Sequence, residues 1–358
     1  MVSLRIPLSF LLILFAFLSP YLGRNIIVPA IYIPLYLYGF YLFFIAKDWK
    51  MPFFYFSFII LMILILFFNI QNTYSFGNAI IYLLMWILNI FLAYVIQKYD
   101  KENYAIGSIS DLGFFLFFLL LYSFFLSAPP SMFFGGMGIN INLVVFILVI
   151  TFYQLFLNKK TILGSVFFSF ALLTLSRMQI LMQAAFIFFN NKFVRIIFYL
   201  LIPFIFYFLY LNFVETSLVK DFQLYFTSGV FLFSEQIDDV RRIYLMIAGI
   251  ETIKELFPFG TGLGLENFKY HASKYVVNAY TSDVRLSLTH NFYLSYLAIS
   301  GIMIFPLLAY IFIPLKNNTQ YRILYLIFLI GIAFNEYITA PFFWVVYALA
   351  MRDKFKNY

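Results

Sequence analysis

The side chains able to transfer a proton or bind a phosphate are concentrated in one stretch of this chain. Residues 215–289 hold nine of the 15 acidic side chains. Histidine occurs twice, as His271 within this stretch and as His290 directly after it. Function often lies on loops that a rigid scaffold positions, so this stretch is the first place to look for chemistry. The acidic residues are Glu215, Asp221, Glu235, Asp238, Asp239, Glu251, Glu255, Glu266 and Asp283.

His290 stands between Thr289 and Asn291, where a polar stretch gives way to an apolar one. The first turn of a helix disfavours positive charge, so an imidazole there stays neutral at neutral pH. A neutral imidazole is what general base catalysis requires. The alternative is a histidine at a membrane interface without a catalytic role. His271 lies in a lysine-rich stretch, and we expect it on a solvated surface.

Two adjacent arginines, Arg241 and Arg242, could bind phosphate, because guanidinium presents a planar fork of donors that matches phosphate oxygens. The alternative is that both pair with carboxylates of the same helix. Arg177 and Glu336 stand at the ends of apolar segments, and charges near membrane depth are usually functional or paired. Glu336 could orient an arginine or imidazole, or cap a helix end. No group of His, Asp and Glu has convincing metal-ligand spacing, so we expect neither a metal nor a cofactor.

A helix is expected from Ser234 to Phe257, outside the membrane or at its surface. Ser234 is a suitable N-cap, and Pro258 with the glycines after it ends the helix. The segment Pro258-Phe-Gly-Thr-Gly-Leu-Gly264 has the composition of a nucleotide-binding loop. It follows a helix rather than a strand and no Lys-Ser/Thr comes next, so residue chemistry alone predicts only a flexible turn. The predicted apolar face of the helix consists of Val240, Ile243, Ile247 and Ile250.

The elements that must position these residues are membrane helices. The 358 residues are 64% apolar and 11% charged, and a soluble domain carries about 25% charged residues. Apolar stretches recur along the whole chain, and a span needs about 20 such residues. Only helices or closed barrels satisfy backbone groups in lipid, and continuous apolar runs favour helices. Expected spans are 6–22 (a retained helix, not a cleaved signal), 26–46, 52–70, 76–97, 111–128, 139–157, 161–175, 178–190, 193–213, 291–315, 322–338 and 340–351.

The orientation follows from basic residues in the short loops. With the N-terminus inside, inner segments hold 14 of the 23 basic residues and short outer turns hold only Arg24 and Arg177. We therefore predict one all-α integral membrane domain over residues 1–358, with ten to twelve spans and both termini cytoplasmic. Residues 215–289 form its large extracytoplasmic loop. Although the net charge is +8, the basic residues are scattered rather than clustered, so nucleic acid is not expected as a partner.

Four motifs resemble the O-antigen polymerase and ligase family of bacterial membrane glycosyltransferases. In chain order they begin at Leu175, Arg241, Pro258 and His290. Ligase members of that family carry Arg-x3-Leu and His-x10-Gly motifs in one large external loop. Arg241 to Leu245 fits the first motif, and His290 to Gly301 fits the second. The resemblance covers roughly residues 160–350, and the earlier part matches only as apolar spans. The remaining matches are the Pro258–Gly264 segment, the short turn Leu175-Ser-Arg177 and the pair His290-Asn291.

This resemblance implies a GT-C-like enzyme on the outer face of the bacterial cytoplasmic membrane. Its donor would be a glycan on undecaprenyl diphosphate, transferred with inversion and without a metal. The resemblance assigns His290 as the base and Arg177 with Arg241 (or Arg242) as the diphosphate ligands. Arg242, Glu336 and Asn291 are the further substrate-binding candidates. Membrane lipids, a chain-length regulator and a flippase are the implied partners.

The expected activity is that of a polymerase, which moves a growing glycan onto the next lipid-linked repeat unit. A ligase that moves the finished chain onto lipid A-core is the alternative within the same chemistry. A flippase for lipid-linked repeat units is the alternative from another class, although it would more often place charges in central helices. A structural membrane scaffold is the third, and it would tolerate substitutions in the large loop.

Overall fold

The computed structural model describes helices, and no strand occurs in the part of the chain that it describes. That part comprises residues 4–18, 30–46, 50–126, 129–137, 139–160, 162–164, 167, 182, 185–186, 188–189, 238–275, 291–333 and 337–352, without the side chains of 131 and 238–244. The predicted spans 161–175, 178–190 and 193–213 fall almost wholly outside these residues. The all-α prediction is confirmed for the described part, and the number of spans stays a prediction.

Helix positions agree closely with the apolar pattern of the sequence. Among the described residues, three helical stretches are long and apolar enough to cross a membrane by length and composition, namely Phe76–Tyr99, Tyr104–Phe125 and Phe292–Lys316. The α-helices are α1 (Arg5–Leu18), α2 (Ile33–Ala46), α3 (Phe53–Phe68), α4 (Phe76–Tyr99), α5 (Tyr104–Phe125), α6 (Pro130–Gly136), α7 (Ile141–Leu157), α8 (Asp238–Leu256), α9 (Leu265–Ala272), α10 (Phe292–Ser300), α11 (Ile304–Phe312), α12 (Arg322–Ile332) and α13 (Pro341–Met351).

The start of α5 corrects one predicted boundary. The span was expected to begin at residue 111, because polar residues precede it. The carboxylate of Asp100 instead accepts hydrogen bonds from the backbone N–H groups of Tyr104 and Ala105, at 2.8 and 3.0 Å, and so begins the helix earlier. Asp111 lies within the helix and is bonded by Arg5 of α1. Polar residues near a span end are therefore accommodated by pairing between helices.

One end of the helix bundle collects basic residues that the sequence assigns to the cytoplasm. The ammonium group of Lys98 donates to the carbonyl oxygen of Lys50. Arg352 donates to the side chain of Asn103 and to the carbonyl oxygen of Asp100. We call this end, marked by these residues, the basic end. The opposite end, formed by residues 69–78 and 257–275, is called the loop end.

Aromatic side chains fill the centre of the bundle. Trp86 of α4 lies against Phe58 of α3 and Trp344 of α13, with ring centroids 6.2 and 5.5 Å apart. Its indole N–H donates to the hydroxyl of Tyr296 at 3.0 Å. All four side chains are buried, so much of the aromatic excess in this chain serves internal packing.

The apolar stretch Phe292–Lys316 reverses direction at Gly301. Gly301 has φ +57 and ψ −138, which ends α10. The ring of Tyr293 lies 6.4 Å from the ring of Phe312, although a straight helix would separate these two residues by about 28 Å. α10 and α11 are therefore the two arms of a hairpin, whereas the sequence predicted one continuous span over 291–315.

A second hairpin is made by α12 and α13, whose facing sides carry Tyr325 and Tyr347, with ring centroids 5.7 Å apart. Its tip includes the short 3-10 helix Tyr337–Thr339. The side chain of Asn89, in the middle of α4, donates to the carbonyl oxygen of Thr339 at 2.9 Å. The tip of this hairpin thus lies beside the middle of α4.

The buried face of α8 differs from the predicted one. Leu245, Ala248 and Thr252 are buried, whereas Ile250 is 41% exposed. α8 packs against α10 through this face. Small side chains allow two helices to approach closely, and periodicity of large apolar residues does not reveal such a face. Ser234, the predicted N-cap, lies outside the described residues.

Candidate functional site

The segment Pro258–Gly264, called the glycine turn from here on, connects α8 with α9 and caps the end of α10. The backbone N–H of Thr261 donates to the carbonyl oxygen of Ala298 at 2.9 Å, and that of Gly262 donates to Ile299 at 3.1 Å. In return, the backbone N–H of Ile302 donates to the carbonyl oxygen of Pro258 at 2.9 Å. The last carbonyl groups of a helix lack partners within the helix, and here the glycine turn provides them.

The other side of the glycine turn is held by the connection between α3 and α4. The backbone N–H of Gly260 donates to the side-chain oxygen of Asn69 at 2.5 Å. The amide nitrogen of Asn72 donates to the carbonyl oxygen of Gly260 at 3.1 Å. Asn69 is fully buried, and its own amide nitrogen donates to Ile65 at 2.9 Å. The predicted flexible turn is therefore a fixed joint between three parts of the chain.

Two glycines are required at this joint by close backbone approach. A Cβ atom on Gly260 would overlap the carbonyl oxygen of Ile299. A Cβ atom on Gly301 would overlap the carbonyl oxygen of Pro258, and the positive φ of Gly301 adds strain for any other residue. Gly301 is the last residue of the His-x10-Gly motif. The glycine segment and this motif are thus parts of one packed unit.

His271 is not on a solvated surface, contrary to expectation. It is 7% exposed on α9, and its Nε2–H donates to the carbonyl oxygen of Asn72 at 2.8 Å. Its Nδ1 has no hydrogen-bond partner among the described residues. Next to it, the rings of Tyr74 and Tyr270 are stacked with centroids 4.1 Å apart. His271 therefore holds α9 on the connection between α3 and α4.

A charged contact fastens the segment after α9 to the end of α8. The carboxylate of Glu255 accepts hydrogen bonds from Lys274 at 2.8 Å and from the hydroxyl of Tyr275 at 2.6 Å. These two donors hold the pKa of Glu255 below its ordinary value. Burial and the carboxylate raise the pKa of Tyr275 to about 12. The contact is therefore fully formed at neutral pH.

Most predicted site residues are not placed by the structure. His290, Arg177 and Glu336 lie outside the described residues. Arg241 and Arg242 are on α8, where only their backbone is described. Their roles therefore stay predictions.

Asn291 is described as the N-cap of α10. Its side-chain oxygen accepts the backbone N–H of Leu294 at 3.0 Å. This bond satisfies one of the unpaired donors at the start of a helix. The sequence assigned Asn291 to substrate binding, and the structure places it at the start of the helix that follows His290.

Two described residues near the unplaced candidates, Tyr293 and Met182, contact the C-terminal half of α12. Tyr293, three residues after His290, donates from its hydroxyl to the carbonyl oxygen of Leu329 at 3.2 Å. Met182, five residues after Arg177, packs on Gly331 of α12. Glu336 lies outside the described residues. Tyr293 and Met182 therefore contact the same end of α12.

Sequence reasoning missed the asparagines that hold this arrangement. Asn69 and Asn89 are buried, and each bonds a backbone group of a distant helix connection. A buried amide is costly unless it is hydrogen-bonded, so an asparagine inside an apolar span signals a contact that the sequence does not identify.

Comparison of this chain with protein-family models, with curated protein sequences and with solved structures finds no match.

Proposed function

We propose that this chain is a polymerase of an O-antigen or related surface polysaccharide, acting on the outer face of the bacterial cytoplasmic membrane. The observation that carries the proposal is the hydrogen-bonded contact between the glycine turn and the residues around Gly301. Two motifs of the family that the sequence resembles meet there. Short motifs that match by chance have no reason to lie together in space, so their contact supports the resemblance.

The acceptor sugar of the next lipid-linked repeat unit supplies the nucleophile. Its hydroxyl oxygen attacks the anomeric carbon of the donor glycan, and a new C–O bond forms. The bond between that carbon and the diphosphate oxygen breaks, and undecaprenyl diphosphate leaves with the electron pair. His290 takes the hydroxyl proton, which is the role of a general base.

The arginines have the complementary role at the leaving group. Negative charge grows on the diphosphate as the bond breaks, and Arg177 with Arg241 (or Arg242) stabilises it. Fixed positive groups aimed at developing charge often provide the largest single catalytic effect. Arg242, Asn291 and Glu336 are the further candidates for binding substrate. No step in this scheme requires a metal ion.

The test is the length distribution of surface glycan in a strain that lacks this protein. Wild type and His290→Ala are supplied in turn, and immunoblotting of tagged protein controls for membrane level. We expect wild type to restore a ladder, whereas the null and His290→Ala strains attach a single repeat unit to lipid A-core. Unattached long chains on the lipid carrier would instead identify a ligase, and repeat units retained on the cytoplasmic face would identify a flippase.

A further inference from the structure

We infer that α10 is a re-entrant helix that starts near the middle of the bundle, so that Asn291, the predicted site residue whose side chain is described, lies at this depth rather than on the outer surface. The depth follows from contacts along α4. Only the chemistry assigned to the site rests on the proposed function.

Positions along α4 give the depth of other residues in the bundle, because α4 runs from the loop end to the basic end. Its 24 residues extend about 36 Å, enough to cross a hydrocarbon layer of about 30 Å. At the loop end, the side-chain oxygen of Asn78 accepts the backbone N–H of Glu266 at 3.3 Å. At the basic end, the amide nitrogen of Gln97 donates to the carbonyl oxygen of Met351 at 2.8 Å.

Measured along α4, the N-terminal end of α10 lies further from the loop end than its C-terminal end does. Its C-terminal end, at Gly301, is capped by the glycine turn at the loop end. Tyr296 is bonded to Trp86, which lies about 15 Å along α4 from Phe76. Tyr293, almost one turn further toward the start of α10, is bonded to α12 and lies against Phe312 of α11. The start of α10 is therefore deeper than its end.

The tip of the α12–α13 hairpin lies at the same depth. The carbonyl oxygen of Thr339 is bonded by Asn89, which is about 20 Å along α4 from Phe76. The chain neighbours of His290 and Glu336, namely Asn291 and Tyr337, thus stand at two helix ends near mid-depth. The bond from Tyr293 to Leu329 joins the first turn of α10 to the last turn of α12.

A site at mid-depth suits the transfer of a glycan from a diphosphate. Non-helical backbone at membrane depth is tolerated where it is buried in protein or lines a water-filled cavity. Attraction between arginine and diphosphate is stronger where the effective dielectric constant is lower than in water. The start of α10, at the depth of the non-helical backbone around Thr339, therefore suits this reaction.

The alternative is one straight span over Phe292–Lys316, in which Asn291 lies at the outer surface and residue 302 lies deep in the membrane. The chain contains no cysteine, so engineered cysteines distinguish the two arrangements. In Tyr293→Cys/Phe312→Cys, we expect a short bismaleimide to link the two residues, and mass spectrometry detects the linked peptides. In a straight helix they would be about 28 Å apart, beyond its reach.

Tyr74→Cys/Tyr270→Cys is the matched control pair, since the two rings are stacked at the loop end. Linkage in the control pair without linkage of 293 to 312 would overturn the re-entrant helix. Single variants measure depth with a membrane-impermeant maleimide added to spheroplasts. Ile302→Cys, at a 42% exposed position, should be labelled like Tyr74→Cys, and Lys101→Cys should not. Ile302→Cys protected like Lys101→Cys would contradict the inference.

The same strains separate the depth inference from the proposed function. If 293 and 312 are linked but His290→Ala keeps a full ladder, the re-entrant helix stands and the proposed transfer at its start is wrong. If His290→Ala loses the ladder but 293 and 312 are not linked, the function stands and the site lies elsewhere.

Discussion

Arg241 and Arg242 differ in their position around α8. Arg241 precedes the buried residues Leu245 and Ala248 by four and seven positions, so the helix register puts it in line with the buried face. Arg242 lies about 100° further round the helix. The register therefore favours Arg241 as the arginine that acts on the diphosphate.

We expect Arg241→Gln to lower the rate of glycan polymerisation about 100-fold, since loss of a group that stabilises developing charge has an effect of about that size. Arg242→Gln should lower the rate less than Arg241→Gln, and Lys254→Gln, the control on the same helix, should leave the rate close to that of wild type. Polymerisation is measured in membranes with lipid-linked repeat units, at equal protein level. A greater loss in Arg242→Gln would contradict this assignment.

The contact of Glu255 with Lys274 and Tyr275 predicts a dependence of stability on pH. Folding lowers the pKa of Glu255. The contact therefore stabilises the folded protein fully at pH values above the ordinary pKa of 4.5, and this stabilisation is lost as the pH falls through the lowered pKa of the folded state. Glu255→Gln should therefore lower the melting temperature at neutral pH, and the difference from wild type should shrink on acidification well below 4.5.

Glu266→Gln is the control for this pH dependence, because the side chain of Glu266 pairs with Lys269 one turn along the same helix, and its backbone bond to Asn78 is kept in the variant. A difference between Glu255→Gln and wild type that persists at low pH would contradict the prediction.

The glycine turn acts at the scale of elements, since it joins α8, α10 and the α3–α4 connection. Gly260→Ala and Gly301→Ala should each destabilise the protein by about 1–3 kcal/mol or more, because the added methyl group meets backbone that cannot move aside. Thermal unfolding of the purified protein measures the loss. Gly77→Ala is the control, since nothing lies within 4 Å of its added Cβ. Equal stability of all three variants would show that the joint is not rigid.

Asn89 positions the tip of the α12–α13 hairpin. Asn89→Leu removes the bond to Thr339 and leaves its carbonyl group unsatisfied, at a cost of about 1–3 kcal/mol. We expect kcat/KM of polymerisation to fall about tenfold, since Glu336, a substrate-binding candidate, directly precedes the residues of this tip in the chain.

Tyr36→Phe is the matched control for Asn89→Leu. Tyr36 donates to the side-chain oxygen of Asn89 at 2.9 Å, so this variant removes the other hydrogen bond of the same amide and keeps the bond to the tip. It should retain kcat/KM. Equal losses of kcat/KM in both variants would show that Asn89 has no specific positioning role.

At the scale of the whole molecule, the basic end and the loop end define an axis. Lys50, Lys98 and Arg352, which the sequence assigns to the cytoplasm, lie at the basic end, and the described motif segments, namely the glycine turn and α10, lie between mid-depth and the loop end. This separation fits an enzyme whose substrates reach it from the outer face.

A C-terminal reporter tests this orientation, because Arg352 places the last described helix at the basic end. Green fluorescent protein fused after Tyr358 should fluoresce, and alkaline phosphatase at the same position should be inactive. Tyr74→Cys accessible to an impermeant reagent from outside is the complementary observation. An active phosphatase fusion would reverse the predicted topology.

The sequence by itself determined where most helices lie, because an apolar segment of sufficient length must be helical in a membrane. α3, α4 and α13 begin within one residue of the predicted spans, since apolar runs mark them clearly. The sequence also predicted that the Pro258–Gly264 segment, the motif ending at Gly301 and the Arg-x3-Leu motif belong to one site, because all three resemble motifs of one family. It failed at α5 and on the buried face of α8, where pairing between helices and small side chains override periodicity.

Only the tertiary structure decided the depth and the connections of these elements. The bond from Gly260 to Asn69 joins residues 191 positions apart, and neither residue type predicts this partner. The burial of His271 depends on a carbonyl group of the α3–α4 connection. The reversal at Gly301 preserves the composition of a continuous span, so hydropathy cannot reveal it. Hydropathy depends on residue type alone, whereas these features depend on which distant backbone groups need hydrogen-bond partners.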